Sequence, residues 1–218
     1  GFMAEYQLEH KIEKDREVQY IESLIQNLKT DTAALTTSIN SNFRKEAAWA
    51  SLLKLAKENL SDSANARKFY TDFIKGGFSP FFRPTDATII QLKNSGNLRL
   101  IRNKEVVDSI LEYDFRNRII LDHNETFNNH HNSLWESAYS VMQGWIMADT
   151  AYVDFTKREI KSSQVPPLNN DKLSKQIFFG SLARGILFTR VNRNYLIQQK
   201  VRAQKLITFL QSKYKLKS

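Results

Sequence analysis

The side chains best suited to chemistry in this 218-residue chain lie between Asn117 and His131. His123, His130 and His131 stand near Asp122 and Glu125, and imidazoles with carboxylates are a common ligand set for zinc and its neighbours. His123 and His130, seven apart, can share a helix face. The four-residue interval that brings two imidazoles onto one metal is missing, so no metal centre is expected. At heptad spacing Asn117, Asn124 and His131 form a second polar row. Such a row lines a ligand seam between helices, sets register at core-type positions, or faces solvent. The structural outcomes are the ordinary ones.

Other chemistry is scarce. A glycine-rich phosphate loop, GxSxG and HExxH are all missing, and Asp108 with Glu112 is an ordinary helix-surface pair. Without cysteine, disulfides, thiolate metal sites and cysteine nucleophiles are excluded. No catalytic residue and no cofactor is expected. An enzyme whose site is assembled from distant carboxylates is the weakest alternative.

Charge is the next signal. The formal +9 is uneven, because residues 1–60 hold 8 basic and 9 acidic side chains while residues 61–218 hold 24 and 14. Asp171 is the last acid, and eleven Lys and Arg follow it. A basic helical module binding nucleic acid or anionic lipid is therefore an alternative function. Against nucleic acid, positions 184, 190, 193, 200, 202 and 205 scatter around a helix, and aromatic interleaving is sparse. The simpler expectation is that Glu9, Glu13, Glu17 and Glu22 supply counter-charges to the basic end. A protein partner is expected, and self-association stays open.

Seven glycines and four prolines leave little punctuation for a many-stranded fold, so the chain is expected to be all-α. The anticipated form is an elongated bundle of three long helices with two short helices at a corner. Residues 1–60 carry a stripe that includes Ile21, Leu24, Ile25, Leu28, Leu35, Ile39, Phe43, Ala47 and Leu53. A kink is allowed at 36–42 (TTSIN SN), where short polar and β-branched side chains compete for backbone hydrogen bonds. Residues 61–103 hold the short helices, near 65–75 and 86–95, and the corner. There Pro84, Thr85 and Asp86 start a helix, Gly96 ends it, and Asn103 caps the next. Residues 104–160 hold the second long helix, expected to reach about 147, and its exit. Its apolar row is Val106, Tyr113, Ile120, Phe127, Leu134 and Val141. Residues 161–170 are a loop set by Pro166-Pro167. Residues 171–218 form the basic C-terminal helix, with a bend at Gly180 or Gly185.

The run PTDATIIQLKNSGNLRLIRNKEVVDSILEYD resembles a segment of an uncharacterised, largely Bacteroidetes family of membrane-anchored helical proteins, known as a domain of unknown function. The likeness rests on Pro84 to Thr88, Leu92-Lys93, Ser95 to Ile101 and Asn103 to Glu105. It implies a transmembrane helix upstream of residue 1 and a tethered domain outside the cytoplasm, and it brings no catalytic residues. The chain opens Gly1-Phe2-Met3, which reads as a piece of a longer protein with Gly1 left by a tag. Residues 5–17 hold five acids and three bases, so they lack the Lys and Arg excess of a cytoplasmic membrane flank. The expected function is a non-enzymatic, periplasmic interaction or sensing domain.

Overall fold

A computed structural model describes residues 2–77 and 80–216; Gly1 and Lys217 fall outside the described residues. The protein is an all-α helical bundle, 78% helical. Its helices are α1 (Phe2–Leu53), α2 (Ser63–Gly77), α3 (Ala87–Asn94), α4 (Lys104–Ala138) and α5 (Lys172–Tyr214). Short 3-10 turns follow α1 at Lys54–Lys57, α3 at Asn97–Leu100 and α4 at Gly144–Ala148. Among the described residues the only strands are β1 (Val153–Asp154) and β2 (Glu159–Ile160), an antiparallel pair that the sequence did not announce.

The chain forms two compact units. The first comprises Gly1–Thr37, Phe82–Leu121 and Tyr195–Ser218. Its core follows from spacing. Ile21, Leu24, Ile25 and Leu28 on α1, Val106, Ile110 and Tyr113 on α4, and Ala203, Leu206 and Leu210 on α5 each recur at three and four residues, which puts each set on one helix face. Ile89 and Leu92 of α3 close the cluster.

The corner lies in this unit and differs in one detail from its expected chemistry. Gly96 adopts φ +67, the left-handed conformation that glycine reaches cheaply, and Asn103 Oδ1 accepts the Val106 N–H at 3.2 Å as an N-cap. Asp86 occupies the N-cap of α3, yet its side chain makes no capping bond. The Thr85 N–H instead donates to Asp31 Oδ1 of α1 at 2.7 Å. Pro84 precedes this contact without entering it.

The second unit comprises Ser38–Phe81 and Asp122–Asn194. It is aromatic. Phe69 and Phe178 lie 5.0 Å apart between ring centroids, Phe73 and Trp135 4.7 Å, and Phe178 and Phe179 5.0 Å, contacts worth about 1 kcal/mol each beyond area burial. α4 stops at Ala138 and does not reach 147. Ser137 and Ser140 hydroxyls take the Leu134 and Ser137 carbonyl oxygens, and Asn169 donates its N–H to the Val141 carbonyl and its Nδ2 to that of Ser140. The carbonyls freed at the helix end are taken by the next N–H groups of the chain, those of Trp135 and Glu136 by Tyr139, that of Ser137 by Ser140 and that of Ala138 by Val141 and Met142. Asp171 caps α5 by accepting the Ser174 N–H at 2.9 Å.

The 36–42 stretch is helical throughout. Its polar side chains find acceptors within the helix: Thr36 and Thr37 bond the Thr32 and Ala33 carbonyls, and Asn42 that of Ser38. Gly180 and Gly185 likewise sit inside an unbroken helical segment.

Candidate functional site

The row Asn117, Asn124 and His131 is divided between the two units. Asn117, in the first, is buried, and its Oδ1 accepts from Gln199 Nε2 at 2.7 Å. Gln199 also donates to the Tyr113 carbonyl at 3.2 Å, so α5 reads the register of α4 through one amide. The Tyr113 hydroxyl donates to Asp31 Oδ2 at 2.7 Å. Burial raises the Asp31 carboxyl above its ordinary value against the opposing pull of Thr85 and Tyr113, and burial beside Asp31 raises the Tyr113 phenol.

In the second unit Asn124 and His131 are half-buried. His131 Nε2 accepts from Trp135 Nε1 at 2.9 Å, which leaves the ring proton on Nδ1. The His131 ring also stacks on Trp49, 6.4 Å between centroids. His123 and His130 do not join it around a common point: among the described residues no group of three His, Asp or Glu side chains is placed to hold a metal.

Lys45 is what the sequence reading missed. Its side chain is enclosed, 5% exposed, with Nζ 4.4 Å above the Trp49 ring. Burial lowers the amine to about 8. It also lowers His130, and it lowers His131 to about 4, with Lys45 adding charge repulsion to both. Trp49 itself is gripped at two edges. A Cβ on Gly76 would lie 2.1 Å from Trp49 Nε1, and one on Gly185 2.9 Å from Trp49 Cζ3. Gly185 therefore admits an indole.

Placing Lys45 inside corrects the expected α1 stripe. Phe43, assigned to the core, is 51% exposed, and Ala47 is exposed as well. Asn42, Lys45, Trp49 and Leu52 are buried instead. Phe43 lies under the Arg193 guanidinium, 4.2 Å from its carbon. Arg193 and Arg190 both pair with Glu46, the latter at 2.5 Å. Elsewhere Lys213 pairs with Glu105 at 3.0 Å. Among the described residues the ion pairs of the basic helix are therefore with Glu46 and Glu105, not with the expected N-terminal set. Of that set Glu13 pairs with Arg102, and Glu17 accepts from Tyr214 Oη at 2.5 Å.

A second apolar row also went unread. Leu173, Ile177, Leu187 and Val191 of α5 are exposed, and with Gly180 and Arg184 they repeat at alternating four- and three-residue steps. Leu182, Ile186 and Leu196 of the same helix form another apolar row, and they are buried. Two apolar rows on one helix were the available signal. Gly180 is exposed, and a Cβ there would meet nothing within 4 Å.

No protein-family model, no curated protein and no solved structure matches this chain. No helix among the described residues is long and apolar enough to cross a membrane.

Proposed function

We propose that this chain is a non-enzymatic interaction or sensing domain, tethered to a membrane and displayed outside the cytoplasm. The observation that carries the interaction reading is the outer row of α5. Leu173, Ile177, Leu187 and Val191 expose apolar side chains at the spacing of a coiled-coil seam. Gly180 within the row costs the helix about 1 kcal/mol relative to alanine, and among the described residues a Cβ placed there meets nothing within 4 Å. A close-approaching helix gives that glycine a use. No acid follows Asp171, so the helix that fits is apolar at matching positions and flanked by Asp and Glu. The tether and its side of the membrane rest on the resemblance over residues 84–114 and on the acid-rich segment 5–17.

The test is a synthetic four-heptad peptide with Leu and Ile at its core positions and Glu at its flanks, titrated against the chain. Saturable binding is expected, lost in Ile177→Asp and Leu187→Asp and absent for the same peptide with Lys flanks. Equal binding of both peptides, or none, overturns the docking surface. Binding to anionic phosphatidylserine vesicles that the same substitutions abolish would replace the partner helix with a lipid surface. For location, a reporter fused after Ser218 of the natural protein is expected to work outside the cytoplasm, and activity only inside refutes it.

A further inference from the structure

The first unit carries a groove of about 230 Å³ over α4 and α5. Tyr113, Leu206 and Phe209 line it with apolar surface, Arg202 and Lys205 stand on the α5 side, and Glu112 stands on the α4 side. Every one of these positions follows from helix spacing: 202, 205, 206 and 209 share one face of α5, and 112 and 113 face them from α4. The Tyr113 ring is fixed from beneath by its bond to buried Asp31.

The charges around the groove are not equivalent. Glu112 is engaged by Arg116 at 2.7 Å, and Lys213, 5.4 Å from the Phe209 ring, is engaged by Glu105. Among the described residues neither Arg202 nor Lys205 has a carboxylate partner. Two uncommitted cations therefore flank an apolar surface. An arginine fork matches a carboxylate with two parallel hydrogen bonds. The groove is smaller than the roughly 300–1,000 Å³ of drug-sized sites, so its occupant is small. Glu112 opposes a second negative charge, which favours a monoanion over a phosphate dianion.

We propose that this groove binds a small amphipathic monoanion: one ring or a short chain on Tyr113, Leu206 and Phe209, with a single carboxylate on Arg202 and Lys205. The site uses residues of the first unit only, whereas the partner helix is assigned to the second. The two proposals therefore succeed or fail separately.

The test is a titration of the full chain with 3-phenylpropionate and with octanoate, read by amide chemical shifts. Saturable shifts confined to residues 109–113 and 202–209 are expected, weakening as salt is raised. The neutral 3-phenylpropanamide is expected to bind at least tenfold more weakly. Arg202→Gln with Lys205→Gln is expected to abolish carboxylate binding while the melting temperature stays unchanged, since both side chains reach solvent. A second variant, Leu206→Met, keeps the charges and most of the apolar volume and should still bind. Binding of the amide as tight as that of the acid overturns the proposal. So do unaltered binding in the double variant, shifts centred elsewhere, phenyl phosphate binding more tightly than the carboxylates, and no saturation at millimolar ligand.

Discussion

The hydroxyl of Tyr113 and the carboxylate of Asp31 meet at 2.7 Å in the core of the first unit, where Asp31 is 1% exposed. The second oxygen of the same carboxylate takes the Thr85 N–H. One acid on α1 thus holds α4 and the chain entering α3. The corner depends on it as much as on the cap and turn residues written into the corner itself.

Removing the pair should show an asymmetry. Tyr113→Phe deletes a donor and is expected to cost about 1–2 kcal/mol, while Asp31→Ala strands the Tyr113 hydroxyl and the Thr85 N–H and is expected to cost about 3 kcal/mol. Burial raises the Asp31 carboxyl, so the folded chain holds this proton more tightly than the unfolded one. Its contribution is complete below about 3.8 and is lost as pH rises through the folded value. Asp31→Asn, which cannot ionise, should flatten that limb in urea denaturation measured across pH.

Lys45 runs in the opposite direction. Its folded amine titrates near 8 and its unfolded amine near 10.5, so between these values the unfolded chain binds more protons and stability rises with pH. Below about 8 the full penalty of the buried cation is present, roughly 3 kcal/mol. Lys45→Met removes that penalty and also forfeits the cation–π contact with Trp49. A net stabilisation of about 1–2 kcal/mol is expected at pH 7, fading towards pH 10.5, in chemical denaturation curves. Equal or lower stability of the variant at pH 7 contradicts this.

On the acid side His131 sets the trend. Its folded imidazole is lowered to about 4 from 6.5, so the stability it contributes is present above 6.5 and is lost as pH falls towards 4. Protonation at Nε2 also ends its acceptance from Trp135. His131→Phe is expected to cost about 1 kcal/mol at pH 7 through the stranded indole N–H. It should show a shallower acid limb, so that the two curves cross near about pH 6 and the variant is the more stable by pH 4 when followed by tryptophan fluorescence.

The glycines offer a control within one experiment. Gly76→Ala and Gly185→Ala force a methyl against Trp49 and are each expected to cost about 1–3 kcal/mol. Gly180→Ala meets open space and should stabilise the isolated chain by up to about 1 kcal/mol. Thermal melts of the three variants decide it. If Gly180 serves a partner helix, the same substitution should weaken binding of the acidic peptide.

Periodicity was a sound guide where apolar side chains did the burying. All six members of the row from Val106 to Val141 are buried, although Val141 lies past the end of α4. Of the apolar residues in heptad register with Asn117, Asn124 and His131, Ile110 and Ala138 are buried while Trp145 is 52% exposed, because the helix carrying that register stops at Ala138. No local residue announces that stop. Tight turns from Tyr139 to Met142 take the last helical carbonyls, and Asn169, about thirty residues on, holds the chain beyond them through the Ser140 and Val141 carbonyls.

The sequence by itself determined the all-α class, the main helical stripes, the glycine turn at Gly96 and the Asn103 cap, since each depends on neighbours within a turn or two of chain. Only the tertiary structure decided that Lys45 and Asn42 lie inside and Phe43 outside. It also decided that Glu46 and Glu105 pair with Arg190, Arg193 and Lys213 of the basic helix, and that Asp31 anchors the corner. These outcomes turn on contacts between residues far apart in the chain, where a polar group's burial depends on the partner that meets it and not on its own hydropathy.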